Sequence, residues 1–289
     1  MNLLSFLEAL GEYQFLQKAL FTSVMVGVIC GVIGCFIILR GMALMGDAIS
    51  HAVLPGVAVS YMLGINFFLG AVLTGVLTAL GIGFISQNSR IKNDSAIGIM
   101  FTAAFAIGVI LITMMRSSAD LYHILFGNVL AVRTSDMWLT IGIGILVVVS
   151  IALFYKQLLV SSFDPTMSAA MGMPNRLIHY LLMTLLTMVT VASLQTVGII
   201  LVVAMLITPA ATAYLLTDRL GVMLYLSAVI GVISAFVGLY FSFVYNLASG
   251  ATIVLVATLL FFLAFFFSPR QGMLWRLMKA QRERALLSR

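Results

Sequence analysis

Asp47 and His51 are the side chains that first suggest chemistry, because they stand alone in an apolar segment. They are the only acidic or basic residues between Gly41 and Gln87. Being four residues apart, they share one face of a helix, and Pro55 continues that stripe. Because proline has no N–H, it would leave the carbonyl of His51 without its helical donor. A carboxylate, an imidazole and such a carbonyl suit Mn²⁺, Fe²⁺ or Zn²⁺, whereas the absence of thiolates nearby argues against Cu⁺.

The energetic cost of this pair favours a functional interpretation. An aspartate at the centre of a membrane-spanning helix costs about 2.5–3.5 kcal/mol, and such residues normally face a bundle interior or a hydrated path. The alternative is that Asp47 lies near the cytoplasmic surface, just after Arg40, and only caps a helix. One acid and one histidine are too few ligands for a tight site. Either a second subunit supplies another pair across a two-fold axis, or the site binds loosely, as a conduit must.

Composition places the chain in a membrane. Of its 289 residues 63% are hydrophobic and 8% are charged, whereas a soluble domain carries about 25% charged residues. The first residues lack the basic region of a signal peptide. Cys30 and Cys35 have neither metal-ligand nor redox-pair spacing, so we interpret them as small packing residues.

The elements that position the pair are apolar helices. Runs without charge predict nine spans, the second of which is interrupted by Asp47, His51 and Pro55, so the fold class is all-α and polytopic with about 8–9 transmembrane helices. The spans are expected at about 19–39, 44–63, 66–86, 95–115, 137–155, 177–194, 196–217, 220–245 and 250–268. With the N-terminus outside, twelve basic residues lie inside and three outside, as the positive-inside rule requires. If the second span does not cross, the count becomes eight and the N-terminal side changes.

Other segments suggest packing, connections or gating. Gly27, Gly31 and Gly34 are spaced for close helix packing. Residues 117–133, with Asp120 and His123, form a polar-flanked amphipathic stretch that predicts either an interfacial gate helix or a plain connecting helix. Within the inner loop 156–176, "FDPTMSAAMGMP" predicts a short helix. Asp164 would be its N-cap, Pro165 its first residue and Gly172 its end. The tail 270–289 is a basic cytoplasmic segment suited to anionic lipid.

Absent motifs exclude some functions. No Walker A pattern occurs in the sequence, so the chain does not hydrolyse ATP through a P-loop of its own. No HExxH pattern occurs either, which excludes the commonest metalloprotease signature.

Four motifs together resemble the manganese/zinc/iron permease family of ABC importers. They are "ILRGMALMGDAISHAVLPGVAVSYMLG", "DLYHILFGNVLAV", "FDPTMSAAMGMP" and "TVGIILVVAMLITPAATAYLL". The likeness covers nearly the whole chain and is closest to the manganese-type subunits of Gram-positive bacteria, the PsaC/MntC-like group. It implies a homodimeric permease of type II importer architecture in the bacterial cell membrane, with residues 1–269 as the transmembrane permease domain. It also implies separate ATP-binding-cassette subunits below and an extracellular metal-binding lipoprotein above.

The resemblance also assigns residues. The metal-coordinating acid and histidine of the family match Asp47 and His51. The helix that couples to the ATPase matches about 163–174, including Phe163, Asp164, Pro165, Met171 and Gly172. The extracellular gate helix matches about 120–130, which holds Asp120 and His123. Such a chain is not itself an enzyme, holds no permanent cofactor and binds no nucleic acid. Its cargo is Mn²⁺, or alternatively Zn²⁺ or Fe²⁺.

Two other transport classes remain open from the residues alone. An ion-coupled secondary transporter could use Asp47 as a relay, but such proteins often have two inverted halves with matching broken helices, and no second half is visible. A siderophore or vitamin permease of the same architecture would need a large cavity and no acid–histidine pair.

Overall fold

The fold consists of α-helices. The computed structural model describes residues 3–114 and 129–268, and within these ranges it contains thirteen α-helices, one short 3₁₀ turn and no strand. The helices are α1 (Leu3–Glu12), α2 (Gln14–Leu39), α3 (Met45–Ala52), α4 (Leu54–Leu63), α5 (Phe67–Asn88), α6 (Asn93–Met114), α7 (Thr134–Leu153), α8 (Tyr155–Phe163), α9 (Pro165–Ala170), α10 (Asn175–Val197), α11 (Ile199–Leu216), α12 (Leu220–Tyr245) and α13 (Ser249–Phe267).

Within the described residues, eight helices are long and apolar enough to cross a bilayer. They are α2, α5, α6, α7 and α10 to α13, with 18 to 26 residues each. A helix suits this solvent because it satisfies its own backbone hydrogen bonds, which lipid cannot do. The prediction of an all-α polytopic protein is confirmed.

The second predicted span consists of two helices, α3 and α4, joined at Val53. The backbone of Val53 remains right-handed helical, and the N–H of Val57 still donates to its carbonyl at 3.0 Å. Pro55 lies in the first turn of α4, where its missing N–H costs least. Residues 45–63 therefore form one interrupted passage roughly 28 Å long at 1.5 Å per residue.

The return from this passage shows that it reaches the opposite end of the bundle. Gly64 ends α4 with a left-handed backbone (φ +66°), and Asn66 caps α5 by accepting a hydrogen bond from the N–H of Phe68 at 2.8 Å. Gly56 of α4 then packs against Gly70 of α5. Counting this pair, the described chain passes between the two ends of the bundle nine times, as the sequence predicts.

Basic residues gather at one end of the bundle. The ends of α2, α5 and α8 and the starts of α6, α9 and α10 meet there around one cavity. Among the described residues, six basic side chains belong to this end, namely Arg40, Arg90, Lys92, Lys156, Arg176 and Arg219, and two, Lys18 and Arg133, belong to the other. By the positive-inside rule the end with the cavity faces the cytoplasm.

The glycines of α2 lie where this helix packs closely against α12. A Cβ on Gly27 would lie 2.9 Å from the backbone of Gly231 in α12, and one on Gly31 would lie 2.7 Å from the hydroxyl of Ser227. Small residues thus let the two helices approach closely, which confirms the packing interpretation.

Two helices were not predicted. Residues 155–163 were expected within a loop but form α8, and α1 precedes the first span. The first span also begins earlier than expected, at Gln14, because Lys18 remains within the helix and donates a hydrogen bond to Thr134 Oγ1 at 2.9 Å.

Candidate metal site and cytoplasmic coupling segment

Asp47 and His51 lie one turn apart on α3, as the spacing predicts. The Nδ1 atom of His51 is 3.0 Å from the backbone carbonyl oxygen of Asp47 and 3.4 Å from its carboxylate Oδ1. A carbonyl oxygen only accepts, so Nδ1 must carry the proton that is shared with it. When the imidazole is neutral, Nε2 then keeps the lone pair, which is the usual arrangement of a metal-binding histidine.

The pair lies deep in the bundle. The imidazole meets the rings of Phe101 and Phe105 edge-on, with centroids 5.5 and 6.0 Å away. These rings are roughly 12–18 Å above the cytoplasmic start of α6 at 1.5 Å per residue. Gly46, next to Asp47, packs against Leu206 of α11, which is roughly 15 Å from the cytoplasmic end of that helix by the same rise.

This depth disfavours the alternative that Asp47 only caps a helix at the cytoplasmic surface, although Asp47 does lie in the first turn of α3. The residue in the N-cap position of α3 is Leu44, and no side chain caps that helix end. The carbonyl of His51 is also less free than expected, because the N–H of Val53 is shared between it and the carbonyl of Ile49. The donors that remain are the carboxylate and Nε2.

Within a single chain this pair supplies two side-chain donors. The side chains of His51 and Asp47 are 25% and 45% exposed. Among the described residues, no cluster of three or more His, Cys, Asp or Glu side chains could hold a metal ion. Two ligands leave most positions of a divalent cation to water or to another molecule.

The short helix α9 is built by the residues that its sequence predicts. Asp164 is the N-cap, and its Oδ1 accepts hydrogen bonds from the N–H groups of Thr166 and Met167 at 3.0 and 2.9 Å. These N–H groups and the Thr166 hydroxyl hold the pKa of Asp164 below its ordinary value. Pro165 is the first helical residue. Gly172 follows the helix with φ +73°, a conformation that suits glycine.

Side-chain bonds fix α9 against α10. Asn175 donates from Nδ2 to the carbonyl of Pro165 at 2.9 Å and accepts from the buried hydroxyl of Ser168. The outer face of this segment carries three apolar side chains, Phe163, Met167 and Met171, each more than half exposed. They follow one another every four residues in sequence, Phe163 at the end of α8, Met167 within α9 and Met171 just after it, and this stripe lies beyond the membrane-spanning helices.

The sequence analysis did not identify some residues of these sites, and some of the residues that it did predict lie outside the described part of the chain. Met167 could have been found, because it stands midway between Phe163 and Met171. Phe101 and Phe105 could not, because α6 is apolar on every face. The predicted gate residues Asp120 and His123 and the basic tail 270–289 lie outside the described residues. Of the predicted gate helix, about 120–130, the structure describes only the last two positions, which belong to the 3₁₀ turn Val129–Ala131.

A multi-pass helical bundle with a partly exposed acid–imidazole pair between its two ends and a capped short helix at its cytoplasmic end suits a membrane transport permease. Residues 12–268 match the ABC 3 transport family. The chain belongs to that family, and it is a multi-pass protein of the bacterial cell membrane.

Individual relatives agree with this assignment. The manganese transport system membrane protein MntC of Halalkalibacterium halodurans is 65% identical over 286 residues, covering 99% of this chain and 98% of the relative. A Haemophilus influenzae membrane protein named for iron transport is 40% identical over 270 residues, covering 93% and 95%. Among solved structures, PsaBC from Streptococcus pneumoniae in complex with Fab is similar with a TM-score of 0.86 and 51% identity, covering 97% of this chain and 100% of that one.

Proposed function

We propose that this chain is the permease subunit of an ATP-driven importer of manganese, which works by alternating access. The observation that carries the proposal is the Asp47–His51 pair, held about midway between the two ends of the bundle with Nε2 free. A hydrated divalent ion loses water at such a pair, gains a carboxylate and an imidazole, and leaves again because two protein ligands bind it loosely.

Manganese is the cargo that the relatives favour. The MntC relative at 65% identity is named for manganese, whereas the relative named for iron is more distant, at 40%. Carboxylate and imidazole also bind Zn²⁺ and Fe²⁺, so these ions are the competitors to include in any assay. A siderophore or vitamin cargo is disfavoured, because it gives the acid–histidine pair no role.

A second copy of the chain is the partner that the metal pair requires. An aspartate that is 45% exposed would be costly beside lipid. α6, which packs beside it, is the least buried of the eight long helices, with 11% of its apolar window buried. A homodimer in which this side meets its copy would cover Asp47 and bring two acid–imidazole pairs together, consistent with type II importer architecture.

The other partners follow from the two ends of the bundle. The stripe of Phe163, Met167 and Met171 suits the surface of a separate ATP-binding-cassette subunit, which would supply the energy that this chain lacks a P-loop to obtain. An extracellular metal-binding lipoprotein would deliver the ion at the opposite end, through a gate that includes Asp120 and His123. Both partners are those that the family resemblance implies.

The proposal is tested by manganese uptake in cells that lack their own manganese importer and express the whole transporter. Replacing Asp47 or His51 by alanine should lower uptake about tenfold or more, since each change removes a ligand. Asp136→Ala, which removes a partly exposed carboxylate near the opposite end, is the matched control. Immunoblots of membranes establish that all variants assemble equally.

The outcomes separate the alternatives. Normal uptake by assembled Asp47→Ala and His51→Ala variants would show that the metal site is misassigned. Uptake that continues without a copurifying ATPase, and that collapses with the proton gradient, would favour a secondary transporter. Because both ligands must be deprotonated to bind metal, uptake should also weaken on acidification.

A further inference from the structure

A cavity lined mostly by polar residues lies at the cytoplasmic end of the bundle. Its volume is about 640 Å³, which is within the range of pockets that hold small organic molecules. Nine of its twelve lining residues are polar. The lining consists of Leu39, Arg40, Met42, Ser86, Gln87, Asn93, Ser161, Ser162, Pro165, Asn175, Arg176 and His179.

The charge of this cavity is positive and uncompensated. Arg40 donates to the hydroxyls of Ser162 and Ser161 at 3.1 and 2.7 Å, and its third partner is Nδ1 of His179 at 3.5 Å. All three partners are neutral, because a histidine nitrogen that faces a guanidinium can only accept. Burial lowers the pKa of Arg40 to about 10, so the group stays charged at neutral pH.

The second guanidinium is free. Arg176 is exposed and makes no hydrogen bond or ion pair with any other described residue. No carboxylate lines the cavity. Asp94 and Asp164 adjoin the lining residues Asn93 and Pro165 in sequence, and Asp164 is already occupied by the first N–H groups of α9.

We propose that this cavity binds a phosphate-group anion, either the headgroup of an anionic phospholipid or free inorganic phosphate. Guanidinium groups recognise phosphate oxygens through paired charge-assisted hydrogen bonds. The serine hydroxyls and the amides of Gln87, Asn93 and Asn175 supply further neutral donors. The cavity lies where the spanning helices end, which is the level of lipid headgroups. A bound anion would supply the negative charge that no residue lining the cavity provides to the half-buried guanidinium of Arg40.

The site touches the segment that the proposed function assigns to coupling. Pro165 begins α9 and Asn175 holds α9 to α10, and both residues line the cavity. A bound phosphate therefore stabilises the position of α9 in the permease. The binding itself does not depend on which metal is carried, so failure of one proposal leaves the other standing.

The test uses the purified transporter complex and two probes. Native mass spectrometry measures phosphatidylglycerol binding against phosphatidylcholine, and a thermal-shift titration compares inorganic phosphate with chloride at equal ionic strength. Arg176→Gln should weaken the binding of the active probe about tenfold, the effect of one lost charge-assisted hydrogen bond. Arg219→Gln, which removes the same charge at the same end but away from the cavity, is the matched control.

Each result decides the proposal. Arg176-dependent binding of phosphatidylglycerol alone identifies the lipid as the source, and Arg176-dependent binding of phosphate alone identifies the free anion. If neither probe binds, or if Arg219→Gln loses as much binding as Arg176→Gln, the proposal is overturned. Arg40→Lys keeps the charge but loses the planar fork, and it should bind less tightly than the unaltered protein. If this variant fails to assemble, Arg176→Gln decides alone.

Discussion

Gly34 of α2 offers a direct test of how closely the central helices approach. A Cβ at this position would overlap the backbone carbonyl oxygen of Leu206 in α11, and it would lie 3.0 Å from the carbonyl carbon and 3.2 Å from the Cβ of Ala210. Ordinary non-bonded carbon contacts are about 3.5–4.0 Å. The obstacle is backbone, which cannot rotate aside, so Gly34→Ala must push α11 away by roughly 1 Å.

The expected cost follows from that displacement. Overpacking of a tight interior costs about 1–3 kcal/mol, whereas alanine in place of glycine regains about 0.5–1 kcal/mol in a helix interior. A net loss of about 1–2 kcal/mol corresponds to a fall in melting temperature on the order of 5 °C. Leu206 also contacts Gly46, next to Asp47, so manganese uptake should fall as well.

The assay is thermal unfolding of the purified protein in detergent, alongside uptake by cells. Gly142→Ala is the matched control, since a Cβ on Gly142 meets nothing within 4 Å. This control should be at least as stable as the original protein. The reasoning is refuted if Gly34→Ala and Gly142→Ala unfold at the same temperature and transport equally, because α2 and α11 would then have room between them.

Three further predictions concern the metal pair and the coupling segment. Phe101→Leu removes one ring that faces the imidazole. Because an aromatic pair contributes about 0.5–1.5 kcal/mol, the apparent KM for manganese should rise about two- to tenfold with little change in maximal rate. Ile107→Leu, on the exposed face of the same helix, should change neither value. Met167→Glu places a charge in the exposed stripe and should reduce copurification of the ATPase subunit, whereas Lys156→Gln should not. Asp164 has a lowered pKa, so its capping contribution is complete above its ordinary value of 3.8 and is lost only as pH falls through the lower folded value. Asp164→Ala, which removes the capping oxygen, should lower uptake without changing the shape of its pH profile between about pH 5 and 8, whereas Asp164→Asn keeps a capping oxygen and should transport nearly normally. A changed profile would contradict this assignment.

The number of passages and the break in the second one were predictable from the sequence. Both follow from local rules, because a bilayer demands long apolar helices and a proline removes a helical donor at a known position. The cap at Asp164 and the end at Gly172 follow from equally local rules. α8 was missed because Lys156 and Gln157 suggested a loop after the preceding span, although nothing in the segment forbids a helix.

Contacts between distant segments were not predictable. Phe101 meets His51 across fifty residues of sequence, and α6 carries apolar side chains on all faces, so no periodicity marks the face that packs inward. The cytoplasmic cavity was even harder to predict from the sequence. Its residues come from six helix ends and form no contiguous motif, and Arg40 alone looked like one more positive-inside charge.

The position of Arg40 relates the two ends of the proposed mechanism. Its guanidinium is hydrogen-bonded to Ser161 and Ser162 of α8, the helix that precedes the capped helix α9, while four residues of backbone separate Arg40 from the start of α3. A displacement of α9 therefore has a short route to Asp47, through two hydrogen bonds and one linker. Val53 separates α3, which carries the metal pair, from α4, which packs on α5 through the Gly56–Gly70 contact. An energy-coupled permease needs such a division, because the metal pair must change its access while the surrounding helices remain packed.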